Sequence, residues 1–289
     1  MDKSNKLKMS DTLPLTCSRT GTCCHGKNVN LNPWELAHLA HAKGISTREF
    51  RDTFCNFGGN LLKFDAAPGW KNLPACSQYI PDFGCSVHTG RPLACRLYPL
   101  GRQRQGEQTD YIFQGKAFPC LEGCPEVVDL PFLTVAEYID GQQAQIFEAA
   151  EDEYLELMQN LADVAFTLLL ETGLAQKDNG KTLQLWHEVG NYTPAKLVTF
   201  IGDQWIDLLM ITELQDHLDN HKVFFNNHYE VIEVKVQEAC NSLNNIAELT
   251  ATSGLLIGLA LYLGRGLGVN INDLINHWIN IAKQNGATN

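Results

Sequence analysis

The sequence predicts a mainly α-helical protein in two parts: a loop-rich, cysteine-rich domain over residues 1–130 with two short helices and a small hairpin, then an acidic α-helical bundle over 131–289. Three observations predict it. Nine of the ten cysteines precede residue 130, helix-capping patterns recur ahead of apolar runs, and apolar residues after Pro131 repeat at helical spacing. Charge divides at the same place. Through residue 130 there are 15 Lys and Arg against 12 Asp and Glu, a net of +3; beyond it there are 7 against 21, a net of −14.

A chain of 289 residues with 44% hydrophobic and 19% charged content buries one large core or two modest ones, as an ordinary folded protein does. The basic start MDKSNKLKMS is not followed by an apolar run of signal-peptide length, which sets the expectation of a cytoplasmic location. SGLLIGLALYLG, residues 253–264, is too short an apolar run to span a bilayer, so no membrane association is expected. A net charge of −11 speaks against nucleic acid as a partner, because release of counterions from phosphates needs a basic surface.

Asn32-Pro33-Trp34-Glu35 reads as an N-cap, a proline at the first helical position and a glutamate able to reach back to the cap; Gly44 stops this first helix. Ser46-Thr47-Arg48-Glu49 opens a second, with Phe50, Phe54 and Phe57 on one face and Gly58-Gly59 at its end. The pair lacks the basic and amide side chains of a DNA-reading helix and is expected to be a helical hairpin packed beside the cysteine loops. Between 66 and 125 the chain is rich in Pro, Gly and Cys; DYIFQGKAF at 110–118 is the best strand, preceded by GRQRQGEQ as a hairpin loop. Thr134-Val135-Ala136-Glu137 is another capping box, and Tyr154, Leu157, Met158, Leu161, Val164, Ala165, Leu168 and Leu169 continue at helical spacing to Gly173, with Gly141 as a break. Further helical patterns cover about 194–222, 228–249, 252–264 and 271–285.

Eight cysteines fall into three groups in loop-like sequence: Cys17, Cys23 and Cys24; Cys76, Cys85 and Cys95; Cys120 and Cys124. Cys55 and Cys240 read as small buried hydrophobes. A region this poor in apolar periodicity needs staples, and ligation by thiolates supplies them, since binding energy becomes folding energy when the site exists only in the folded chain. Thiolate is a soft ligand that suits zinc and iron–sulfur clusters. In an extended segment the side chains of Cys23 and Cys24 would point to opposite sides and address two partners. The long spacings of 76, 85 and 95 lack paired C-x₂-C knuckles, and Cys120-Leu-Glu-Gly-Cys124-Pro125 echoes the C-x₃-C-P ending of cluster-binding runs, which favours iron–sulfur over Zn²⁺. His88, with C-x₂-H spacing from Cys85, is either a further ligand or a hydrogen-bonded loop imidazole. Arg91 and Arg96 lie close enough in sequence to offset thiolate charge by hydrogen bonding to sulfur or backbone, or to meet an anionic substrate.

CSQYIPDFGCSVHTGRPLACRLYPL at 76–100, with CSRTGTCC upstream and CLEGCP downstream, resembles the YkgJ-type cysteine-cluster family, a zinc- or iron-chelating domain with a CxxCxxCC signature. The resemblance covers about the first 130 residues and rests on Cys76, Cys85, Ser86, His88, Arg91, Pro92, Cys95, Arg96, Tyr98 and Pro99. It implies a thiolate metal site, with Arg91, Arg96 and Tyr98 around it. Thr20 stands where the signature has its second cysteine. The family in turn resembles flagellin lysine-N-methylase, an iron–sulfur enzyme using S-adenosylmethionine, which implies an enzymatic alternative with no assigned catalytic residues; a thiol-based redox sensor is a third class. The helical domain is expected to present a surface to a protein partner or substrate.

Two further patterns are read as structural. Gly264-Arg-Gly266-Leu-Gly268 has too little chain after it to serve as a nucleotide loop and reads as a helix ending. Glu213, His217 and His221, at i, i+4 and i+8, read as a solvated polar face of one helix.

Overall fold

The computed structural model describes residues 6–14, 17, 21–105, 108–113, 131–211, 217–241 and 243–287. As the sequence predicts, it is mainly helical, with small sheets confined to the N-terminal half and its junction with the bundle.

Helix α1 (Pro33–Lys43) forms where its caps dictate. The Asn32 side chain accepts from Glu35 N, Glu35 reaches back to the Asn32 backbone, and Gly44 closes the helix in the left-handed region. Leu36, Ala37, Leu39 and Ala40 are fully buried and Trp34 nearly so, so this is an interior helix; each leucine contributes about 1.5–3 kcal/mol by burial. Helix α2 (Thr47–Phe54) packs back on α1, and the turn His88–Gly90 lies against α1 on the other side. Glycine is required at Gly90, where a Cβ would meet His38 O at 2.3 Å. The hairpin therefore packs beside a cysteine loop, as expected.

Helix α2 ends sooner than the sequence suggests. Cys55 is extended and pairs with Leu62 across β3 (Cys55–Asn56) and β4 (Leu61–Leu62), so Phe57 does not share a helical face with Phe50 and Phe54, and Gly58-Gly59 belongs to a separate 3₁₀ turn. The expected hairpin loop at 101–108 is likewise mostly strand. β7 (Leu100–Gln105) pairs antiparallel with β8 (Gln108–Phe113), which pairs with β1 (Lys6–Leu7). Polar alternation hid this strand: Arg102 is drawn in by Glu151 and Asp152, 2.7 and 2.8 Å away. The 114–118 portion of the expected strand lies outside the described residues.

Strand β2 (Thr12–Pro14) pairs with β9 (Phe132–Thr134), which feeds the Thr134 capping box and α4 (Val135–Gly141). The chain breaks after Gly141 as expected, and α5 (Ala144–Glu171) is the long central helix. After α6 (Leu174–Lys177) comes α7 (Lys181–Gly190), which sequence reasoning missed. Its cap is displaced: the Asp178 carboxylate accepts from Gly180 N and Thr182 N at 2.9 and 2.8 Å. The pattern at 194–222 divides into α8 (Pro194–Ile201) and α9 (Asp203–Met210) at Gly202, and 212–216 lie outside the described residues.

Helices α10 (His221–Asn241), α11 (Ile246–Gly266) and α12 (Ile271–Gln284) complete the bundle. Glu213 lies outside the described residues; His217 sits in a turn and His221 opens α10, so these two share no helix face. His221 is not a solvated polar group either, since its Nδ1 faces Glu153 of α5 at 3.0 Å.

The 253–264 run is part of a 21-residue helix with a mean hydropathy of 1.6, long and apolar enough to cross a membrane by length and composition alone. In this fold α11 is packed against α5, α7, α8 and α12, and every residue from Leu256 to Gly264 is buried. The buried Ser253 hydroxyl is satisfied: it accepts from Trp186 Nε1 at 3.1 Å and donates to Ala165 O at 3.3 Å. On α10, His228 Nε2 donates to Leu208 O at 2.9 Å and Nδ1 meets Tyr154 OH at 2.7 Å. Gly264-Arg-Gly266-Leu-Gly268 forms the ending of α11.

One hydrophobic core runs across residue 130. Trp34 meets Phe224 edge-on at 5.1 Å and Phe147 at 6.3 Å, while Tyr138 OH donates to Tyr98 O at 2.7 Å. Arg48 and Arg51 of α2 pair with Asp207 of α9.

Candidate metal centre

The described cysteines of the first two groups come from five short backbone pieces, at Cys17, Cys23–Cys24, Cys76, Cys85 and Cys95. Cys23 and Cys24 close the 3₁₀ turn Thr22–Cys24, entered through Gly21, which is left-handed because a Cβ there would overlap the Tyr79 ring. Cys76 N donates to Cys24 O at 2.7 Å and Gly26 N to Pro74 O at 3.0 Å, which lays the first loop along the second. His25 strengthens the turn by donating Nδ1–H to Gly21 O at 3.0 Å. Cys85 lies in β6 (Gly84–Cys85), opposite Tyr79 of β5 (Tyr79–Ile80). Cys95 sits on α3 (Leu93–Leu97), whose first N–H, from Leu93, is held by Glu35 Oε1 at 2.7 Å.

The thiols interact. The Cys24 thiol is hydrogen-bonded to that of Cys23, and this bond, burial and the charges of Cys23, Cys95 and Cys85 push its pKa far up. Burial pushes Cys76 up to about 11, with Cys85 and Cys23 adding to the rise while the Gln78 N–H and Lys27 oppose it. Cys95 rises to about 12 by burial and by Cys23, Cys76 and Cys85, again opposed by Lys27. Cys85 is raised by burial and by Cys23 and Cys17, against the Val87 N–H and Arg91. Cys23, Cys24, Cys76, Cys85 and Cys95 are thus linked in one electrostatic network that Cys17 joins through Cys85, and ionising one member raises the cost of ionising its neighbours.

Among the described residues, however, no three His, Cys, Asp or Glu side chains are grouped closely enough to hold a metal ion as they stand. The donor set fits a soft metal in its chemistry: free thiols, buried, poor in neighbouring carboxylates and short of compensating positive charge. Cys120 and Cys124, and Thr20, lie outside the described residues.

The expectation that Cys23 and Cys24 point apart is corrected. The segment is a 3₁₀ turn and not an extended strand, and the two thiols bond to each other. Cys55 is buried and is pushed up to about 12, chiefly by burial, with Cys76 and Asp52 adding to the rise and Lys63 and Arg51 opposing it; Cys240, on α10, is half-buried.

The other candidates divide by what they touch. His88 Nε2 lies 3.5 Å from Cys17 Sγ and accepts from Arg91, which also reaches Gln142. Its imidazole is therefore both hydrogen-bonded in its loop and in contact with a thiol. Arg96 grips the backbone: it donates to Arg91 O, Gln142 O and Thr89 O at 2.7–2.8 Å, with its guanidinium 3.9 Å from the centre of the Phe147 ring. The Tyr98 ring supports Lys27 Nζ at 3.6 Å. Lys27, the cation that most opposes the rise of Cys95 and also lowers Cys76, was missed from sequence; its only signal was its place three residues after Cys24.

Thiols from loops around 17–24, 76–85 and 95, pinned together and held beside Lys27 and Arg91, define a cysteine-cluster chelating domain. Residues 16–112 match the model of the CxxCxxCC family, described as a "putative zinc- or iron-chelating domain". The matched range contains Cys17, Cys23, Cys24, Cys76, Cys85 and Cys95 and ends before Cys120 and Cys124. Comparison with curated proteins and with solved structures found no match.

Proposed function

We propose that the N-terminal part of this chain chelates a metal through Cys17, Cys23, Cys24, Cys76, Cys85 and Cys95, joined by Cys120 and Cys124, and that an iron–sulfur cluster is favoured over Zn²⁺. The observation that carries the reading is a network of five buried or half-buried thiols from separate loops, Cys23, Cys24, Cys76, Cys85 and Cys95, with Cys17 reaching it through Cys85 and Cys76 N bonded to Cys24 O. Such a set is stable as thiolates only around a compensating positive charge. Bound, an iron–sulfur cluster would supply one-electron redox chemistry, whereas zinc would supply a staple for the fold.

The chain's own residues prepare the site in three ways. The N–H groups of Gln78 and Val87 favour the ionised forms of Cys76 and Cys85, Lys27 and Arg91 add positive charge, and His88 stands beside Cys17 as a further donor. Arg96 acts one layer out by fixing the carbonyls of Thr89 and Arg91. The reading favours a resident metal over a redox sensor, because thiols whose pKa is raised this far are poor nucleophiles.

A cytoplasmic protein with a protein partner or substrate, and without nucleic acid or membrane association, remains part of this reading. The acidic surface and the burial of α11 support the two exclusions, and Val231 and Val234, each 52% exposed on α10, support the partner surface.

Protein purified without oxygen is expected to be brown, with iron and acid-labile sulfide in equal amounts. Colourless protein with stoichiometric zinc would move the assignment to zinc, and protein free of both would end the proposal. Binding of S-adenosylmethionine to the iron-loaded protein is the added test for the methylase alternative.

A further inference from the structure

The Gly264-Arg-Gly266-Leu-Gly268 ending of α11 borders a feature that chelation does not use. A cavity of about 440 Å³ lies between the loop at 57–61, the start of α8 and the turn joining α11 to α12. The cavity is held in register by close packing. Gly266 sits so near Leu31 that a Cβ would come within 2.5 Å of its carbonyl oxygen, and Tyr262 OH donates to Phe57 O at 3.1 Å.

Arg265 lines this cavity and, unlike Arg51 and Arg102, faces no carboxylate among the described residues. Arg51 faces Asp52 and Asp207, and Arg102 faces Glu151 and Asp152. Arg265 Nη2 donates to Tyr192 O at 2.7 Å, but its Nε is enclosed without a hydrogen-bond partner, and among the described residues no carboxylate pairs with it. Burial lowers its pKa and no acidic group offsets that loss. In a chain with 33 Asp and Glu, a half-buried arginine without a counter-ion is a site that favours an anion. Asn30, also on the cavity wall, has a side-chain amide without a partner among the described residues.

The rest of the wall is mixed: Phe57, Leu61, Pro194, Val269 and Ile271 give it an apolar side, and Asn60, Asn270 and Asn272 add polar groups. Phe57 is held at a φ of 51°, a strained region for an aromatic residue, so the fold spends stability to keep it there. A guanidinium without a carboxylate, a free amide and an apolar side suit one ligand chemistry. We infer that this cavity binds a small organic oxyanion, a carboxylate or phosphate monoester on a compact apolar body, with Arg265 as the anion receptor.

The test is calorimetric titration of the full-length, metal-loaded protein with phenyl phosphate, benzoate, inorganic phosphate and benzyl alcohol. Phenyl phosphate or benzoate is expected to bind saturably with a Kd of about 10–1,000 μM, and whichever binds tighter identifies the oxyanion. Arg265→Gln should weaken that binding by at least about tenfold while metal content and circular dichroism stay unchanged. Asn30→Asp, which sets a negative charge on the wall without removing a hydrogen bond, should do the same and decides the matter alone if the arginine variant does not fold. The inference is overturned if neither organic anion binds saturably, if both variants bind like wild type, or if benzyl alcohol binds as well as the anions. Equal binding of inorganic phosphate and phenyl phosphate would overturn the role given to the apolar side.

Discussion

Cys95→Ser is expected to reduce metal retained per folded chain by at least about tenfold, with a lower yield of folded protein. Cys95 is carried on α3, buried, and coupled to Cys23, Cys76 and Cys85, so it stands where three separate loops meet. Serine at that point replaces a soft sulfur with a hard, poorly ionised oxygen and leaves the other thiols to share the charge. Two cysteines act as controls. Cys240→Ser on α10 and Cys55→Ala in β3 should leave metal content unchanged, because the first is perturbed by burial alone and the second chiefly by burial. Metal analysis beside circular dichroism on the three variants checks this; normal loading in Cys95→Ser would remove Cys95 from the site.

Glu35→Ala carries the second large effect, a loss of about 3 kcal/mol in unfolding free energy. One carboxylate oxygen accepts from Asn32 N at 3.0 Å and the other from Leu93 N at 2.7 Å, so a single buried side chain ties the start of α1 to the start of the helix that carries Cys95. Removing it leaves two enclosed N–H groups without partners. Burial pushes the Glu35 pKa up to about 8, with the two N–H groups and Arg96 opposing the rise. A folded-state value above the unfolded one of 4.5 means that the native state holds the proton more tightly. The stabilisation from this group is therefore complete below about pH 4.5 and is lost as pH rises through about 8. Glu35→Gln keeps the shape and cannot ionise, so it should flatten that decline. His38 and His228 work in the opposite sense, since burial lowers both to about 4 and their contribution is lost as pH falls from 6.5 through 4. The difference between Glu35→Gln and wild type in urea unfolding across this range isolates Glu35; identical slopes would contradict its assignment.

Local signals carried most of the fold. The Asn32 and Thr134 capping boxes, the break after Gly141 and the helical ending at Gly266 all stand where side chains adjacent in sequence determine them. What was not legible depends on partners distant in sequence. Strand β7 was hidden because Arg102 is paid for by carboxylates of α5, some 50 residues on, and α7 because its cap is Asp178, outside the usual position. The three thiol groups were recognisable by residue type and surrounding Gly and Pro. Their contact was not: it depends on Cys76 N reaching Cys24 O and on Glu35 holding α3. The turn that brings Cys23 and Cys24 together was misread, because a left-handed Gly21 against Tyr79 is a tertiary fact. Lys27 and Glu35 gained their roles from the same folding and carried no motif of their own.

X-ray absorption at the edge of the metal bound after anaerobic purification tests the central claim most directly. The account predicts a first shell dominated by sulfur at about 2.3 Å, with at most one nitrogen from His88. A shell of oxygen and nitrogen, or a protein that retains no metal, would contradict it.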